Sequence, residues 1–519
     1  VTLSGVNTYT GVTTISAGTL AFSADSNLGA SAATISLDGG TLALNALAAV
    51  TDTHVIHVGS NGGTIDTGNQ QFWLNTANLL TGNGPLTVNG PFGSLRLSLN
   101  NSFTGTTTIN GGALVEVQNA TGLGTSAVTV SSGAELVASN INMANAVTTT
   151  GGSTLSFDNG NAGTFSGTVS LGAGATTVAL RDWYNYLQAN NGAITGVISG
   201  SGSLVVNNGN GTGGVLTLTN ANTFTGGIEL NAGTLALANY NAAGGASGSA
   251  LGPITAANGT TISLTSTGGT AANAFTVSGT NASVTLMSNQ ASAGYGFSLN
   301  GTADQTVVMS GNPVNFNATT KQFTNFLGTI NVPVGSSLLD RNSNAWTNGG
   351  DSALFNVDGY MGSRNGYGTW VLGGLTGTGT LSMGTVGNNG IGLSYTIGAR
   401  NDVSDTFSGV IRDGDTVNNK LVSVTKVGTG TQVFSGVNTY TGNTTVNAGT
   451  LSLTNAYLAD VADVRIAASA SAVLDLNYTG ADTVDQLFID GVEQYKGTWG
   501  AVGSGATYES ASITGTGTL

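Results

Sequence analysis

Short runs of alternating apolar and polar residues, separated by Gly and Asn, recur along the whole chain. Residues 34–44 read TISLDGGTLAL, residues 127–139 read AVTVSSGAELVAS, and residues 214–227 read GVLTLTNANTFTGG. Apolar residues two apart, bounded by turn-forming residues, predict half-buried strands joined by tight turns. We find no convincing stretch that combines helical periodicity with a helix cap. The pattern therefore predicts an all-β protein.

One octapeptide, SGVNTYTG, occurs at residues 4–11 and again at residues 435–442. Aligning the chain on it gives four segments: LSGVNTYTGVTTISAGTLAF from Leu3, LSLNNSFTGTTTINGGALVEV from Leu97, LTNANTFTGGIELNAGTLAL from Leu218 and FSGVNTYTGNTTVNAGTLSL from Phe434. They share an Asn, a small residue, Tyr or Phe, Thr and Gly, then a strand and a Gly-containing turn into Leu. The aligned asparagines are Asn7, Asn101, Asn222 and Asn438.

A second element tends to precede these segments, as in TGNGPLTV, SGSGSLVV and VGTGTQVF, so the full module is a G-x-G strand followed by the N-x-[YF]-T-G strand pair. Each unit has one apolar side and cannot bury it alone. Stacking successive units along an axis buries those sides against one another. With roughly 22 residues per turn and parallel strands ~4.8 Å apart, such a stack is a β-solenoid.

The NTYTG...AGTL units resemble the autotransporter-associated β-strand repeat of bacterial autotransporter passengers and related large surface proteins. The resemblance implies a right-handed parallel β-helix (β-solenoid) with loop insertions, extracellular or on the bacterial cell surface. Residues 482–519 resemble the closing segment that such passengers often carry, which implies a C-terminal capping or closing segment. Inside it, the Asp490-Gly491 pair predicts a hairpin turn.

These features predict four regions along the chain. Residues 1–339 form a low-charge β-helix body with an aromatic loop insertion at about 181–191. Residues 340–420 form a more charged, irregular β region, residues 421–455 return to β-helix rungs, and residues 456–519 form the closing segment.

Composition narrows the classes of function. Only 7% of residues are charged, and the absence of Cys excludes disulfides and thiolate metal sites. A formal charge of −14 with 11 basic residues argues against a nucleic-acid partner. No apolar run approaches the ~18 residues of a membrane span, and the residues after Val1 show no signal peptide.

An enzyme is the least favoured interpretation, although parallel β-helices also host pectate lyases, polygalacturonases and phage tailspike hydrolases. Glycoside hydrolysis needs two carboxyl groups ~5 to 9.5 Å apart on one sugar. The acids of the first part of the chain are scattered singly, as are Asp25, Asp38, Asp52 and Asp66. We therefore predict no catalytic residue and no cofactor, with calcium as the possible exception.

Metal binding has weak signals. His54 and His57 are three apart on a predicted strand and so point to opposite faces, which argues against a shared metal. Close-set carboxylates suit calcium, for which solvated turn residues are the alternative interpretation. The calcium candidates are Asp402, Asp405, Asp413 and Asp415.

Aromatic side chains are the candidates for glycan contact. The segment RDWYNYLQANN brings three of them together, and such rings stack on sugars. The alternative is a loop that covers the coil. The candidates are Trp183, Tyr184 and Tyr186.

The two ends of the sequence resemble the two halves of one module. VTLSGVNTYTG lacks the G-x-G half, and ITGTGTL is a G-x-G half. Unpaired solenoid edges are templates for another strand, so we predict head-to-tail self-assembly into a filament by β-strand augmentation between residues 513–519 and 1–11. The interface residues are Val1, Thr2, Leu3, Ser4, Gly5, Tyr9, Gly515, Gly517 and Leu519.

Two alternatives to self-assembly remain open. The chain is a segment of a longer surface array, or it is an adhesin-type passenger that displays a binding patch for glycans, proteins, or host or neighbour cell surfaces. Long uncharged rods also serve to hold a binding tip away from a cell.

Overall fold

A computed structural model of the chain describes residues 1–31, 33–158, 163–180, 190–207, 213–239, 241–244, 252–266, 273–288, 297–311, 314–316, 322–340, 348–363, 368–383, 392–414, 421–468 and 471–519. Two compact units divide the chain, Val1–Ile254 and Thr255–Leu519.

The first unit is built from short strands and one 3₁₀ helix, Asp25–Leu28. The strands are β1 (Thr2–Leu3), β2 (Thr13–Ile15), β3 (Thr19–Phe22), β4 (Thr34–Leu37), β5 (Thr41–Leu44), β6 (Val50–Asp52), β7 (Val55–Val58), β8 (Gly63–Asp66), β9 (Gln71–Leu74), β10 (Leu80–Gly82), β11 (Leu86–Asn89), β12 (Ser94–Leu97), β13 (Thr107–Ile109), β14 (Leu114–Val117), β15 (Val128–Val130), β16 (Glu135–Ser139), β17 (Asn142–Met143), β18 (Val147–Thr149), β19 (Thr154–Asp158), β20 (Gly163–Phe165), β21 (Val169–Leu171), β22 (Ala175–Leu180), β23 (Gly192–Ile194), β24 (Ile198–Gly200), β25 (Ser203–Asn207), β26 (Val215–Leu218), β27 (Ile228–Leu230) and β28 (Thr234–Leu237).

The second unit continues in the same style. Its strands are β29 (Ile254–Ala256, which begins at the last residue of the first unit), β30 (Thr261–Leu264), β31 (Asn273–Val277), β32 (Ser283–Ser288), β33 (Phe297–Gly301), β34 (Thr306–Ser310), β35 (Val314–Phe316), β36 (Asn325–Phe326), β37 (Thr329–Val332), β38 (Ser337–Asp340), β39 (Gly350–Val357), β40 (Tyr360–Ser363), β41 (Thr369–Thr376), β42 (Thr380–Met383), β43 (Leu393–Ile397), β44 (Ser404–Phe407), β45 (Val410–Arg412), β46 (Val422–Lys426), β47 (Thr431–Phe434), β48 (Thr444–Val446), β49 (Thr450–Leu453), β50 (Val464–Ile466), β51 (Val473–Leu476), β52 (Leu487–Ile489), β53 (Val492–Glu493), β54 (Trp499–Gly500), β55 (Tyr508–Glu509) and β56 (Ile513–Gly515).

Parallel stacking of successive turns organises the first unit. Thr41 pairs with Thr64, and Leu86 pairs with Thr107, so these turns repeat after 23 and 21 residues, close to the predicted period. The strand orders in its sheets are β1-β3-β5-β8-β11-β13-β15-β18-β21-β24, β2-β4-β7-β10, β6-β9-β12-β14-β16-β19-β22-β25-β27 and β17-β20-β23-β26-β28.

The second unit stacks in the same way and ends in a different geometry. Its strand orders are β30-β32-β34-β37-β39-β41-β43-β46-β48-β50-β52-β53, β31-β33-β36, β35-β38-β40-β42-β45, β44-β47-β49-β51-β56 and β54-β55. β52 and β53 pair antiparallel around Asp490 and Gly491, whose φ angles are 56° and 72°. Two positive φ angles in a two-residue loop are typical of a type I′ hairpin, so the hairpin prediction is confirmed.

Alternating side chains fill the interior of both units. In β4, Ile35 and Leu37 are fully buried while Thr34 and Ser36 are partly exposed. Burial of each such apolar side chain contributes ~1.5 to 3 kcal/mol. Aromatic rings pack between turns, as where Phe22 meets Phe72 edge to face at 5.5 Å. The fold is an all-β β-solenoid of parallel stacked turns, as the sequence predicted. Among the described residues, no helix has the length and apolar character needed to cross a membrane.

Candidate functional site

The aromatic residue of the repeat is buried in three copies and exposed in the first. Phe103 and Phe224 are 0% exposed and Tyr440 is 2% exposed, whereas Tyr9 is 38% exposed. In two of the buried copies a residue of the following turn lies against the ring, Gly244 beside Phe224 and Tyr457 at 6.1 Å from Tyr440. In the part of the chain that the structure describes, no turn precedes the one that carries Tyr9.

The local conformation of the first copy is the same as that of the last. The Thr13 hydroxyl donates to the Tyr9 hydroxyl at 2.9 Å, and the Tyr440 and Thr444 hydroxyls lie 2.8 Å apart. Each Thr follows its Tyr by four residues. The exposure of Tyr9 is therefore not the result of a rearranged hydrogen bond within the repeat.

The Asn of the repeat links three successive turns. Asn222 Oδ1 accepts a hydrogen bond from the Ile198 main-chain N–H of the preceding turn at 2.8 Å. Its Nδ2 donates to the Ala242 carbonyl of the following turn at 2.6 Å. The main-chain N–H groups of Leu80 and Ile411 donate in the same way to Asn101 and Asn438.

Asn7 makes only the forward half of this link. Its Nδ2 donates to the Asn27 carbonyl at 2.7 Å, and its N–H donates to the Ser26 carbonyl at 2.9 Å. No described residue donates to Asn7 Oδ1. The acceptor that internal copies offer to the preceding turn is therefore present on the first turn as well.

The glycines of the octapeptide give the sharpest contrast between copies. At Gly436, an added Cβ would overlap the Gly409 carbonyl oxygen, and at Gly442 it would overlap the Val422 carbonyl oxygen, both on the preceding turn. At the equivalent Gly5 and Gly11, an added Cβ would meet nothing within 4 Å. Among the described glycines, only these two have neither a positive φ nor a close neighbour.

The main-chain pairing shows the same difference. β13 lies between β11 and β15, and β48 lies between β46 and β50, whereas β2 pairs with β4 alone and β1 with β3 alone among the described strands. We call residues 1–15 the open edge. Its most exposed apolar side chains are Val1 at 86%, Val6 at 78% and Val12 at 64%.

The predicted interface residues of the first turn all lie in the open edge. Val1, Thr2, Ser4, Gly5 and Tyr9 are exposed. Leu3 is half-buried.

The predicted interface residues near Leu519 lie in a different environment. β56 pairs with β51, and Leu519 exchanges two main-chain hydrogen bonds of 2.9 Å with Trp499. Leu519 is 8% exposed, and Gly517 lies against the Tyr478 ring, while Gly515 is exposed. This half of the predicted interface is therefore partly occupied by contacts within the closing segment.

Four segments of the chain match the sequence model of the passenger-associated-transport-repeat, at residues 1–22, 81–115, 210–237 and 424–453. These four segments are similar to that repeat. Each matched segment contains one of the four aromatic copies, so the resemblance seen in the sequence is confirmed. The passenger repeat indicates a cell-surface or extracellular location. Comparison with curated proteins and with solved structures found no match.

The predicted calcium ligands have separate partners near the last passenger repeat. Asp402 pairs with the Arg400 guanidinium at 3.1 Å. Burial raises the pKa of the Asp405 carboxyl, and the negative charge of Asp402 adds to that rise. Asp413 accepts from the Val422 N–H at 2.7 Å and from the N–H and hydroxyl of Thr441. Asp415 lies outside the described residues.

Asp413 therefore has a structural role beside the last passenger repeat, because its carboxylate holds Thr441, the second Thr of NTYTG. The calcium site stays a prediction. The glycan candidates Trp183, Tyr184 and Tyr186 lie outside the described residues, and glycan contact also stays a prediction.

A buried cation also supports the last passenger repeat. Lys426 is 1% exposed, and its Nζ donates to the carbonyls of Val427, Gly428 and Ala448 at 2.7, 3.0 and 3.2 Å. Burial lowers the pKa of Lys426 to about 8, and Asp405 opposes that shift only in part.

Stability is expected to rise with pH because of Lys426. Above pH 8 the native chain releases this proton, while the unfolded chain holds it up to the ordinary pKa of ~10.4. We expect the free energy of unfolding to gain ~2 kcal/mol between pH 7 and pH 9.5 from this group. Urea unfolding followed by circular dichroism measures the gain. Lys426→Met should remove it, and an equal rise in that variant would contradict the assignment.

One group of polar side chains in the first unit was missed by sequence reasoning. Asp52, His54 and Asp25 converge, with His54 Nδ1 at 2.6 Å from Asp52 Oδ1 and 3.2 Å from Asp25 Oδ1. The hydrogen bond to Asp52 raises the pKa of the His54 imidazole, and burial raises the pKa of the Asp52 carboxyl. The Asp-Thr-His spacing, which places residues 52 and 54 on one face of an extended segment, was the available signal.

Proposed function

We propose that this protein is a structural component of a bacterial cell surface or its surroundings, a passenger-type β-solenoid that assembles head to tail through its open edge. The glycines carry the proposal. Positions 436 and 442 need Gly because the preceding turn approaches closely there. The first copy has Gly at the equivalent positions 5 and 11, where no described residue lies within 4 Å of an added Cβ. The open edge thus has the surface that internal turns present to a preceding turn.

Polar and apolar groups of the open edge support the same partner. Asn7 Oδ1 is placed to accept a main-chain N–H, and Tyr9 offers a ring that is buried in the other three copies. Unpaired strand edges add further strands by main-chain hydrogen bonding, which is β-strand augmentation. A β-solenoid turn stacked on the open edge would donate to Asn7, cover the Tyr9 ring and pair with the unpaired strand edges.

A G-x-G element supplies such a turn in the second and third copies, whereas in the last copy Gly442 meets Val422 and Ser423. An added Cβ at Gly105 would overlap the Gly84 carbonyl, and one at Gly226 would overlap the Gly202 carbonyl. Gly84 and Gly202 are each the second glycine of a G-x-G element. The same element recurs as Gly515-Thr516-Gly517, so we assign the closing segment of a second copy as the partner.

This assignment requires the closing segment to present its outer edge. β56 is the last strand of its sheet, with β51 as its only ladder partner among the described strands. The Trp499–Leu519 hydrogen bonds lie beside it and would have to yield or be shared. A head-to-tail contact of this kind is heterologous and does not close on itself, and therefore builds a filament.

Electron microscopy and sedimentation of the purified protein over a range of concentrations test the proposal. We expect fibres of uniform width that lengthen with concentration. The double change Gly5→Ala and Gly11→Ala should abolish them without altering the circular dichroism or the melting temperature of the single chain. Val334→Ala, at an exposed residue of the second unit, is the control that should still assemble.

A wild-type protein that stays a single chain at all concentrations would overturn the filament. In that case the open edge seats a turn from a longer surface array, which is the remaining structural alternative. The adhesin alternative depends on the charged region after Asp340 and on the aromatic candidates, which lie outside the described residues, and neither belongs to the open edge.

A further inference from the structure

Three titratable side chains meet near the start of the first unit. Asp52 ends β6, His54 follows it two residues later, and Asp25 begins the 3₁₀ helix Asp25–Leu28. One potential ligand atom from each lies within 4.8 Å of the other two. In the part of the chain that the structure describes, this is the one place where three such side chains gather.

Burial makes this group unusual for the molecule. The side chains of Asp52 and His54 are 0% exposed, and that of Asp25 is 34% exposed. Asp52 Oδ2 is buried and has no hydrogen-bond partner among the described residues. A buried carboxylate oxygen without a donor is costly, so such an oxygen is a candidate for binding a cation.

The surroundings hold the ligands in place. The Thr53 N–H donates to Asp25 Oδ1 at 2.9 Å, and the Thr53 hydroxyl lies 3.2 and 3.1 Å from the two Asp25 oxygens. The His54 N–H donates to Asp52 Oδ1 at 3.0 Å. Hydrogen bonds of this kind orient metal-ligating side chains and are a regular part of metal sites.

The geometry points to a binding site for a first-row divalent transition-metal ion, with Asp25, Asp52 and His54 as its three protein ligands. One imidazole nitrogen and two carboxylates suit zinc and its neighbours, whereas calcium and magnesium prefer oxygen alone. The partial exposure of Asp25 leaves a path for entry and a position for a water ligand. On binding, the ion replaces the proton shared by His54 and Asp52, and that proton leaves to solvent.

Zinc titration of chelator-treated protein by calorimetry tests the site, with ZnCl₂ as the probe. We expect one equivalent bound to the wild type. His54→Gln and Asp52→Asn should each abolish that binding, and Asp25→Asn should weaken it at least tenfold. His57→Gln is the matched control, because His57 is exposed and contacts Thr81 instead of the three ligands.

The visible absorption of bound Co²⁺ provides a second readout that is independent of calorimetry. Co²⁺ bound by one imidazole and two carboxylates in a four-coordinate site gives visible bands, which His54→Gln should remove. If His54→Gln or Asp52→Asn does not fold, Asp25→Asn provides the test, because the Asp25 side chain is partly exposed. Zinc uptake that is absent in the wild type, or equal in the wild type and Asp25→Asn, would overturn the site.

Discussion

One added methyl group at Gly436 is expected to lower the free energy of unfolding by ~3 kcal/mol, while the same group at Gly5 leaves it unchanged. Both glycines lie in the sequence SGVNTYTG, and neither has a positive φ. At Gly436 the methyl overlaps the Gly409 carbonyl oxygen, so the main chain between two turns must separate. At Gly5 it enters open space.

Urea unfolding of Gly436→Ala and Gly5→Ala, followed by circular dichroism in dilute single-chain solution, measures the pair. The sequence context is identical over eight residues, so local propensity cancels between the two variants. Equal losses in both would mean that the octapeptide needs Gly for its own conformation, and the argument from the open edge would then fail.

Replacing Asn222 by Ala is expected to cost ~2 to 4 kcal/mol, because the change leaves a buried N–H of Ile198 and a buried carbonyl of Ala242 without partners. The same change at Asn7 removes the forward bond to the Asn27 carbonyl and a longer, exposed bond of 3.3 Å to the Gly5 carbonyl. Its cost should be ~1 kcal/mol, since only the bond to Asn27 is partly buried.

Thermal and urea unfolding of Asn222→Ala and Asn7→Ala provide the comparison, with both sites in the first unit. In a fibre, Asn7 Oδ1 would accept a hydrogen bond from the neighbouring chain. Asn7→Ala should therefore raise the protein concentration needed for assembly. A loss at Asn222 no larger than at Asn7 would show that the link between turns is not a principal source of stability.

The strands and the solenoid were predictable because they depend on short-range patterns. Alternation in TISLDGGTLAL gives β4 and β5, and the Asp490-Gly491 pair gives the hairpin. The period of about 22 residues also follows from the repeats. Each of these signals lies within one or two turns of the chain.

The environment of each repeat was less predictable, because it depends on which turn stacks above it. Tyr9 and Tyr440 share the same eight-residue sequence and differ in exposure from 38% to 2%. Asp25 reaches His54 only because the 3₁₀ helix that begins with Asp25 lies beside the next turn. Asp413 is a calcium candidate in the sequence, and the sequence does not indicate that its carboxylate accepts from Thr441 of the following turn.

The repeat asparagine has a consequence for how this architecture grows. Asn101, Asn222 and Asn438 accept from the main-chain N–H groups of Leu80, Ile198 and Ile411, and Asn101 and Asn222 also donate to the main-chain carbonyls of Gly122 and Ala242. These main-chain hydrogen bonds do not require a particular side chain on the neighbouring turn. Turns of different sequence can therefore lie between the copies, which are spaced unevenly along the chain.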